Sequence, residues 1–216
     1  MAKILITSGP TRQHLDPVRY LTNASSGRMG QSLTNAAIAA GHQVVVVSGP
    51  VDVSYPSQAE VVCVVSTEEM LAACQQIFPS CDGLIGVAAP CDYRPVQVAE
   101  QKISKTGGPL VLHLIETPDI VATLGASKLG GQWLVGFALE TEDHHFRAVT
   151  KAQKKSCDLM VLNGPAAMNA MENSVEVLDR QGRLIGGFRG SKADVAIQIF
   201  AIVQRQLIER RSKVNG

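Results

Sequence analysis

Lys3-Ile4-Leu5-Ile6-Thr7, then an alanine-rich stretch from Gly30 to Ala40, then Gln43-Val44-Val45-Val46-Val47: these three segments decide the fold. The two short runs are β-branched and apolar almost throughout. A sheet wetted on one face would alternate apolar with polar, whereas parallel strands covered by helices on both faces need side chains of this kind at every position. Val61–Val65, Gly83–Val87, Trp133–Ala138 and Leu159–Leu162 repeat the pattern and read as further central strands. Amphipathic segments fill the gaps. Gly30–Ala40 stops at Gly41, a residue suited to positive φ beyond a helix end. Ser66-Thr67-Glu68-Glu69 has the form of a capping box and opens a helix through about Ile77. Thr117-Pro118 supplies an N-cap and an N1 proline, and Asp143–Lys155 and Ser191–Arg210 supply two more helices. The expected fold is a doubly wound, mostly parallel α/β sheet. It carries a late β-hairpin, Ser174–Leu178 and Leu184–Phe188 around Asp179-Arg180-Gln181-Gly182.

A chain of 216 residues, 45% of them hydrophobic, suits a single domain over residues 1–216. The net charge of +1, with both signs evenly spread, leaves no broad cationic face for nucleic acid or an anionic membrane. No apolar run has the length of a membrane span. Met1-Ala2-Lys3-Ile4 leads straight into a strand without a secretory pattern, so a cytoplasmic location is expected. Cys63, Cys74, Cys81, Cys91 and Cys157 form neither a C-x-x-C pair nor zinc-ligand spacing. Reduced thiols and no structural metal are expected.

Two connections, Ser8–Ser26 and Ala88–Gly108, are longer than a compact α/β unit needs, and long loops after sheet strands are where such folds bind ligands. The first contains Gly9 and ends Asn23-Ala24-Ser25-Ser26-Gly27. It brings small residues and hydroxyls to a helix entrance, where free N–H groups and the helix dipole favour phosphate. The same residues also suit a tight strand-to-helix turn. There is no G-x-x-x-x-G-K-[ST] and no G-x-G-x-x-G after the first strand. Val47-Ser48-Gly49-Pro50 brings no acidic ribose ligand, and none of Tyr20, Tyr55 or Tyr93 is followed by lysine four residues on, which weighs against a nicotinamide-dependent oxidoreductase.

In the second connection Ala88 and Ala89 allow close backbone approach, Asp92 can bind hydroxyls or amines, and Lys102 with Lys105 can neutralise polyphosphate or simply face solvent. Phe137 could lie beside a base. By periodicity Lys151, Lys154 and Lys155 read as a solvated helix face. Cys91, with no histidine near it in sequence, reads as a packed thiol, and His144-His145 as exposed.

Taken in order, Ser8-Gly9-Pro10-Thr11-Arg12, the Leu15–Gly30 segment, Val47-Ser48-Gly49-Pro50, Ala88–Pro95, Gln101–Lys105, Glu116–Ile120, Gly136–Thr141 and Lys154–Asn163 resemble the phosphopantothenoylcysteine synthetase family over nearly the whole chain. The resemblance implies a Rossmann-like ligase in its free-standing form, without the flavin-dependent decarboxylase domain that precedes it in many bacterial relatives. In that reaction the carboxylate of 4′-phosphopantothenate attacks the α-phosphate of CTP (or ATP), brought in with Mg²⁺, to give an acyl-nucleotide and pyrophosphate. The amine of L-cysteine then displaces the nucleotide. The resemblance makes Asn23 the residue at the activated acyl group and Lys102 the flap lysine at the phosphates. Arg19 holds the loop or an anionic substrate, or forms a structural ion pair. Gly9, Ser25, Ser26 and Gly27 cradle the triphosphate, Ala88, Ala89, Asp92 and Phe137 line the nucleoside, and Lys151, Lys154 and Lys155 become phosphate contacts. A homodimer is implied too. Two departures from the pattern are Cys91, where alanine is common, and Lys102-Ile103-Ser104-Lys105, where K-I-K-K is common. A nucleotide-binding regulator without turnover is the competing reading.

Overall fold

The structure is a computed structural model that describes residues 1–139, 144–163 and 173–209, with the backbone alone for 139 and 144–148. The chain passes through β1 (Lys3–Ser8), β2 (Arg12–His14), β3 (Tyr20–Thr22), α1 (Arg28–Ala39), β4 (Gln43–Ser48), β5 (Glu60–Cys63) and α2 (Thr67–Ile77). Next come β6 (Gly83–Gly86), β7 (Tyr93–Pro95), β8 (Leu114–Glu116), α3 (Ile120–Ala126), β9 (Trp133–Leu139) and α4 (His144–Lys154). β10 (Leu159–Asn163), β11 (Asn173–Asp179), β12 (Leu184–Gly190) and α5 (Lys192–Val203) complete it, α5 running on as a wider π turn over Gln204–Glu209.

The main sheet has eight strands in the order β12-β11-β10-β9-β6-β1-β4-β5. The six from β5 to β10 are parallel, and the β11–β12 hairpin adds antiparallel to β10. From β1 the chain winds outward through β4 and β5, then returns to β6 on the other side, so the winding direction reverses between β1 and β6. The apolar runs explain the two covers. Ile4 and Ile6 face one cluster with Leu33 and Ala37 of α1 and Val195 and Ile199 of α5. Leu5 faces the other, with Met70 of α2, Ile120 and Leu124 of α3 and Ala152 of α4. Ile4, Leu5 and Ile6 are fully buried, and each such side chain contributes about 1.5–3 kcal/mol of transfer free energy.

The helix signals hold in detail. Gly41 has φ +83°, and its N–H and that of His42 close on Ile38 and Ala37 as a Schellman end. Ser66 Oγ accepts the Glu69 N–H at 3.1 Å while Glu69 Oε2 accepts the N–H groups of Ser66 and Val65, at 3.3 and 2.7 Å. Other expectations need correction. The run beginning at Val61 is not central: β5 is the sheet edge, where Glu60, Val61 and Cys63 are exposed. α3 is capped by Asp119, whose carboxylate accepts the Ala122 N–H at 3.0 Å. Thr117, expected as that cap, instead donates its hydroxyl to Cys91 O. The two long connections hold structure of their own, since β2 pairs with β3, and β7 with β8, as small antiparallel ribbons. Asp143 and Arg210, expected helix ends, and the side chains of His144 and His145 lie outside the described residues.

Candidate active site

Parallel sheets bind ligands outside the carboxyl ends of their strands where the winding reverses, and a cavity of about 840 Å³ lies there. Thr7 of β1, Gly86 of β6, Gly136 and Phe137 of β9 and Asn163 of β10 floor it. Packing demands the two glycines of this floor: a Cβ on Gly86 would come 2.6 Å from Val121 Cγ2, and one on Gly136 2.9 Å from Cys157 Sγ. The segment after β6, Val87 to Tyr93, forms one wall and Glu116 to Val121 another. A smaller cavity of about 380 Å³ adjoins it, lined by Pro10, Arg12, Tyr20, Thr22, Asn23, Ala24, Ser25, Ser26 and Pro50.

Asn23 lines both cavities. Its Nδ2 donates to Pro90 O at 2.8 Å and to Ala89 O at 3.3 Å. The amide hydrogens expected to meet an oxyanion are therefore spent on the wall segment, because that segment turns its carbonyls toward the end of β3. The wall is further clamped through Cys91. Its N–H donates to Thr11 Oγ1 at 2.8 Å, and its carbonyl accepts the hydroxyls of Thr67 at 3.2 Å and Thr117 at 2.5 Å. Burial pushes the Cys91 thiol up, against hydrogen bonds that pull it down, and its Sγ donates to the carbonyls of Thr11 and Leu21. It is a packed thiol, as the sequence suggests, and all five cysteines are free.

The expected site residues divide. Asn23, Ser25, Ala88, Ala89, Asp92, Phe137, Lys151, Lys154 and Lys155 meet around the larger cavity. Lys151 and Lys154 are exposed, as their periodicity suggests, yet they border the cleft, and only Lys155 is drawn partly out of solvent. Side chains tilt toward the N-terminus of their helix, which carries those at the end of α4 into the cleft. Lys155 Nζ pairs with Asp119 Oδ2 at 2.9 Å. Burial raises the Asp119 carboxyl, but the Ala122 N–H and the Lys155 and Lys154 ammonium groups outweigh it and hold Asp119 below the ordinary value of 3.8.

The other expected residues stand elsewhere. Gly27 is the N-cap of α1 at φ +73°, with no side chain capping the first turn, and Ser26 faces the smaller cavity. Gly9, at φ +74°, packs on Val51, where a Cβ would come 2.6 Å from Cγ1. Arg19 pairs with Asp16 and lines neither cavity. Lys102 and Lys105 are also outside the cleft, on a mostly exposed segment over residues 96–113.

Sequence reading missed Arg12, whose guanidinium sits 4.5 Å over the Tyr20 ring at the smaller cavity. It also missed Asp119 and Asn163. Asn163 Oδ1 is buried without a hydrogen-bond partner among the described residues. A polar residue closing an apolar strand run was the available signal for Asn163.

These features define a doubly wound α/β protein with a ligand cleft at its topological switch point, cationic on one wall and small-residued on its floor. Within that class the chain belongs to the DNA/pantothenate metabolism flavoprotein C-terminal domain family, whose pattern matches residues 1–207. It is similar to the coenzyme A biosynthesis bifunctional protein CoaBC of Vibrio vulnificus, 38% identical over 207 residues, 93% of this chain and 51% of that protein. It is also similar to a cysteine/cysteine sulfinic acid decarboxylase from an unknown prokaryotic organism, 39% identical over 202 residues, 91% of this chain and 56% of that protein. The crystal structure of the C-terminal domain of a CoaBC protein superimposes with a TM-score of 0.82 at 35% identity, covering 96% of each chain. The chain spans about half the length of the curated relatives it matches. Among the described residues no helix is long and apolar enough to cross a membrane.

Proposed function

We propose that this chain is the ligase that joins 4′-phosphopantothenate to L-cysteine through an acyl-nucleotide, giving 4′-phosphopantothenoyl-L-cysteine for coenzyme A biosynthesis. One observation carries the reading: Asn23 stands on the boundary of two cavities of unequal size. The larger suits a nucleoside triphosphate, the smaller the acyl partner, and the acyl-phosphate bond must form where they meet. Similarity to a coenzyme A biosynthesis protein supports the pathway. The decarboxylase relative bears a different activity in its name, and the ligase reading rests on the CoaBC relatives and on the cleft.

In this reading Phe137 borders the base, and Asn163 Oδ1, without a hydrogen-bond partner among the described residues, accepts its exocyclic amino group, which cytosine and adenine both carry. CTP is the proposed nucleotide, on the family resemblance, with ATP as the competitor. Lys151, Lys154 and Lys155 meet the phosphates. A carboxylate is a poor acyl donor because oxide would have to leave, and transfer of the nucleotide replaces that leaving group with a nucleoside monophosphate. Of the two Asn23 donor bonds, the longer one to Ala89 is the one a developing oxyanion replaces, at little cost in ground-state geometry. Mg²⁺ would arrive on the triphosphate, and the carboxylates of Asp92 and Glu116, one from each wall, fit a hard cation that keeps most of its water. The exposed apolar side chains Val96, Val98, Leu110, Val111, Leu114 and Ile115, on and beside the β7–β8 ribbon, fit a homodimer contact. A cytoplasmic location accords with the pathway.

Pyrophosphate release from purified protein with Mg²⁺, 4′-phosphopantothenate and L-cysteine, comparing CTP with ATP, tests the reading. Release only in the complete mixture, with product of the expected mass, is expected, and Asn23→Ala should slow it by about 10²–10³-fold. Folded protein that binds nucleotide but releases no pyrophosphate would turn the assignment to a non-catalytic nucleotide-binding protein.

A further inference from the structure

The side chain of Asp16 is fully buried in the turn between β2 and β3, and each of its oxygens has a separate task. Oδ1 accepts the N–H groups of Val18 and Arg19, both at 2.8 Å, which shapes the turn. Oδ2 accepts the N–H of Ile103 at 3.1 Å and Arg19 Nη1 at 3.1 Å. The same Arg19 nitrogen donates to the Ile103 carbonyl at 3.0 Å, so both polar groups of the Ile103 backbone are held by one ion pair 84 residues away in sequence. Four residues earlier, the Ala99 N–H donates to Leu15 O at 2.9 Å. Glu100, Gln101 and Lys102 therefore form a short arch with both feet on the Leu15–Arg19 turn. That turn closes the β2–β3 ribbon, and the other end of the ribbon delivers Asn23 to the cleft.

We propose that Asp16 is a positioning residue: through Ile103 it fixes the arch that carries Lys102 to the ribbon that carries Asn23. Of the alternatives open for Arg19, the structural ion pair is the one formed, and Arg19 is the partner that completes this latch. The claim about Lys102 in turnover rests on the ligase reading; the latch itself does not. An exposed, otherwise poorly packed segment needs such a tie if a flexible lysine is to meet a triphosphate at a set distance from Asn23.

Asp16→Asn separates the two tasks chemically. The amide oxygen can still serve Val18 and Arg19, but its NH₂ would face the Ile103 N–H and the guanidinium, donor against donor. Ile103→Pro removes the same contact from the exposed side, leaving the buried carboxylate untouched, should the first variant fold poorly. Hydrogen exchange at residue 103 in Asp16→Asn, and at its neighbours in Ile103→Pro, is expected to accelerate about tenfold or more. Pyrophosphate release should slow about tenfold with KM for L-cysteine unchanged, and Asp16→Asn should add no further loss in a Lys102→Ala background. Unchanged exchange, or a loss repeated in full without Lys102, overturns the proposal. Accelerated exchange in a protein whose wild type releases no pyrophosphate upholds the latch and defeats the ligase reading alone.

Discussion

Asp119 shows how one residue can serve the fold and the cleft together. It caps α3 through Ala122 and holds Lys155 at the cleft wall, with its carboxyl below the ordinary value of 3.8. A carboxyl lowered on folding adds stability that is complete above 3.8 and is lost as the pH falls through the lower folded value. Asp119→Asn keeps a good capping side chain but no charge. Denaturant midpoints measured from neutral pH downward should show a constant deficit for the variant above 3.8 that shrinks at lower pH. A deficit that persists in acid would mean that the cap, and not the charge, was lost.

At the scale of an element, α2 is the clearest case of local sequence acting as written. Its capping box is complete, Met70 and Cys74 face the core, and Thr67 at its first turn reaches the Cys91 carbonyl. Ser66→Ala removes a side-chain acceptor from the first turn and should lower stability by about 1 kcal/mol, read from urea melts. Because Ser66 touches neither cavity, turnover per folded molecule should stay unchanged. The turn after β4 behaves otherwise. A Cβ at Gly49 would lie 1.6 Å from Pro10 O, a backbone atom that cannot swing aside. The demand for glycine there comes from two strand exits brought side by side, not from the turn itself.

For the whole molecule, the described surface is marked by the β7–β8 ribbon and the chain beside it. Val96 is 57% exposed, Leu110 58% and Val111 74%. Apolar side chains concentrated this way usually mark an interface, and the exposed 96–113 segment also carries Lys102. Sedimentation equilibrium of the wild type should give a dimer, and the pair Val111→Asp with Leu114→Asp should give a monomer with an unchanged far-UV circular dichroism spectrum. A monomeric wild type would remove the dimer from the proposal.

Sequence alone carried the parallel sheet, its two helical covers, the late hairpin and the capping of α1 and α2. Each rests on side-chain periodicity or a capping contact within a few residues, which the chain order itself reveals. Asn23, Ala88, Ala89, Asp92 and Phe137 were legible as cleft residues because they lie near or beyond the carboxyl ends of strands that must meet at the switch point. What the tertiary structure decided depended on distant neighbours. β5 became an edge, Thr117 gave up its cap to bond Cys91, and Lys155 turned from solvent to Asp119. Asp16 came to grip Ile103 across 87 residues. In each case the deciding partner is remote along the chain and becomes adjacent only when the sheet closes, so no pattern in the local sequence could have named it.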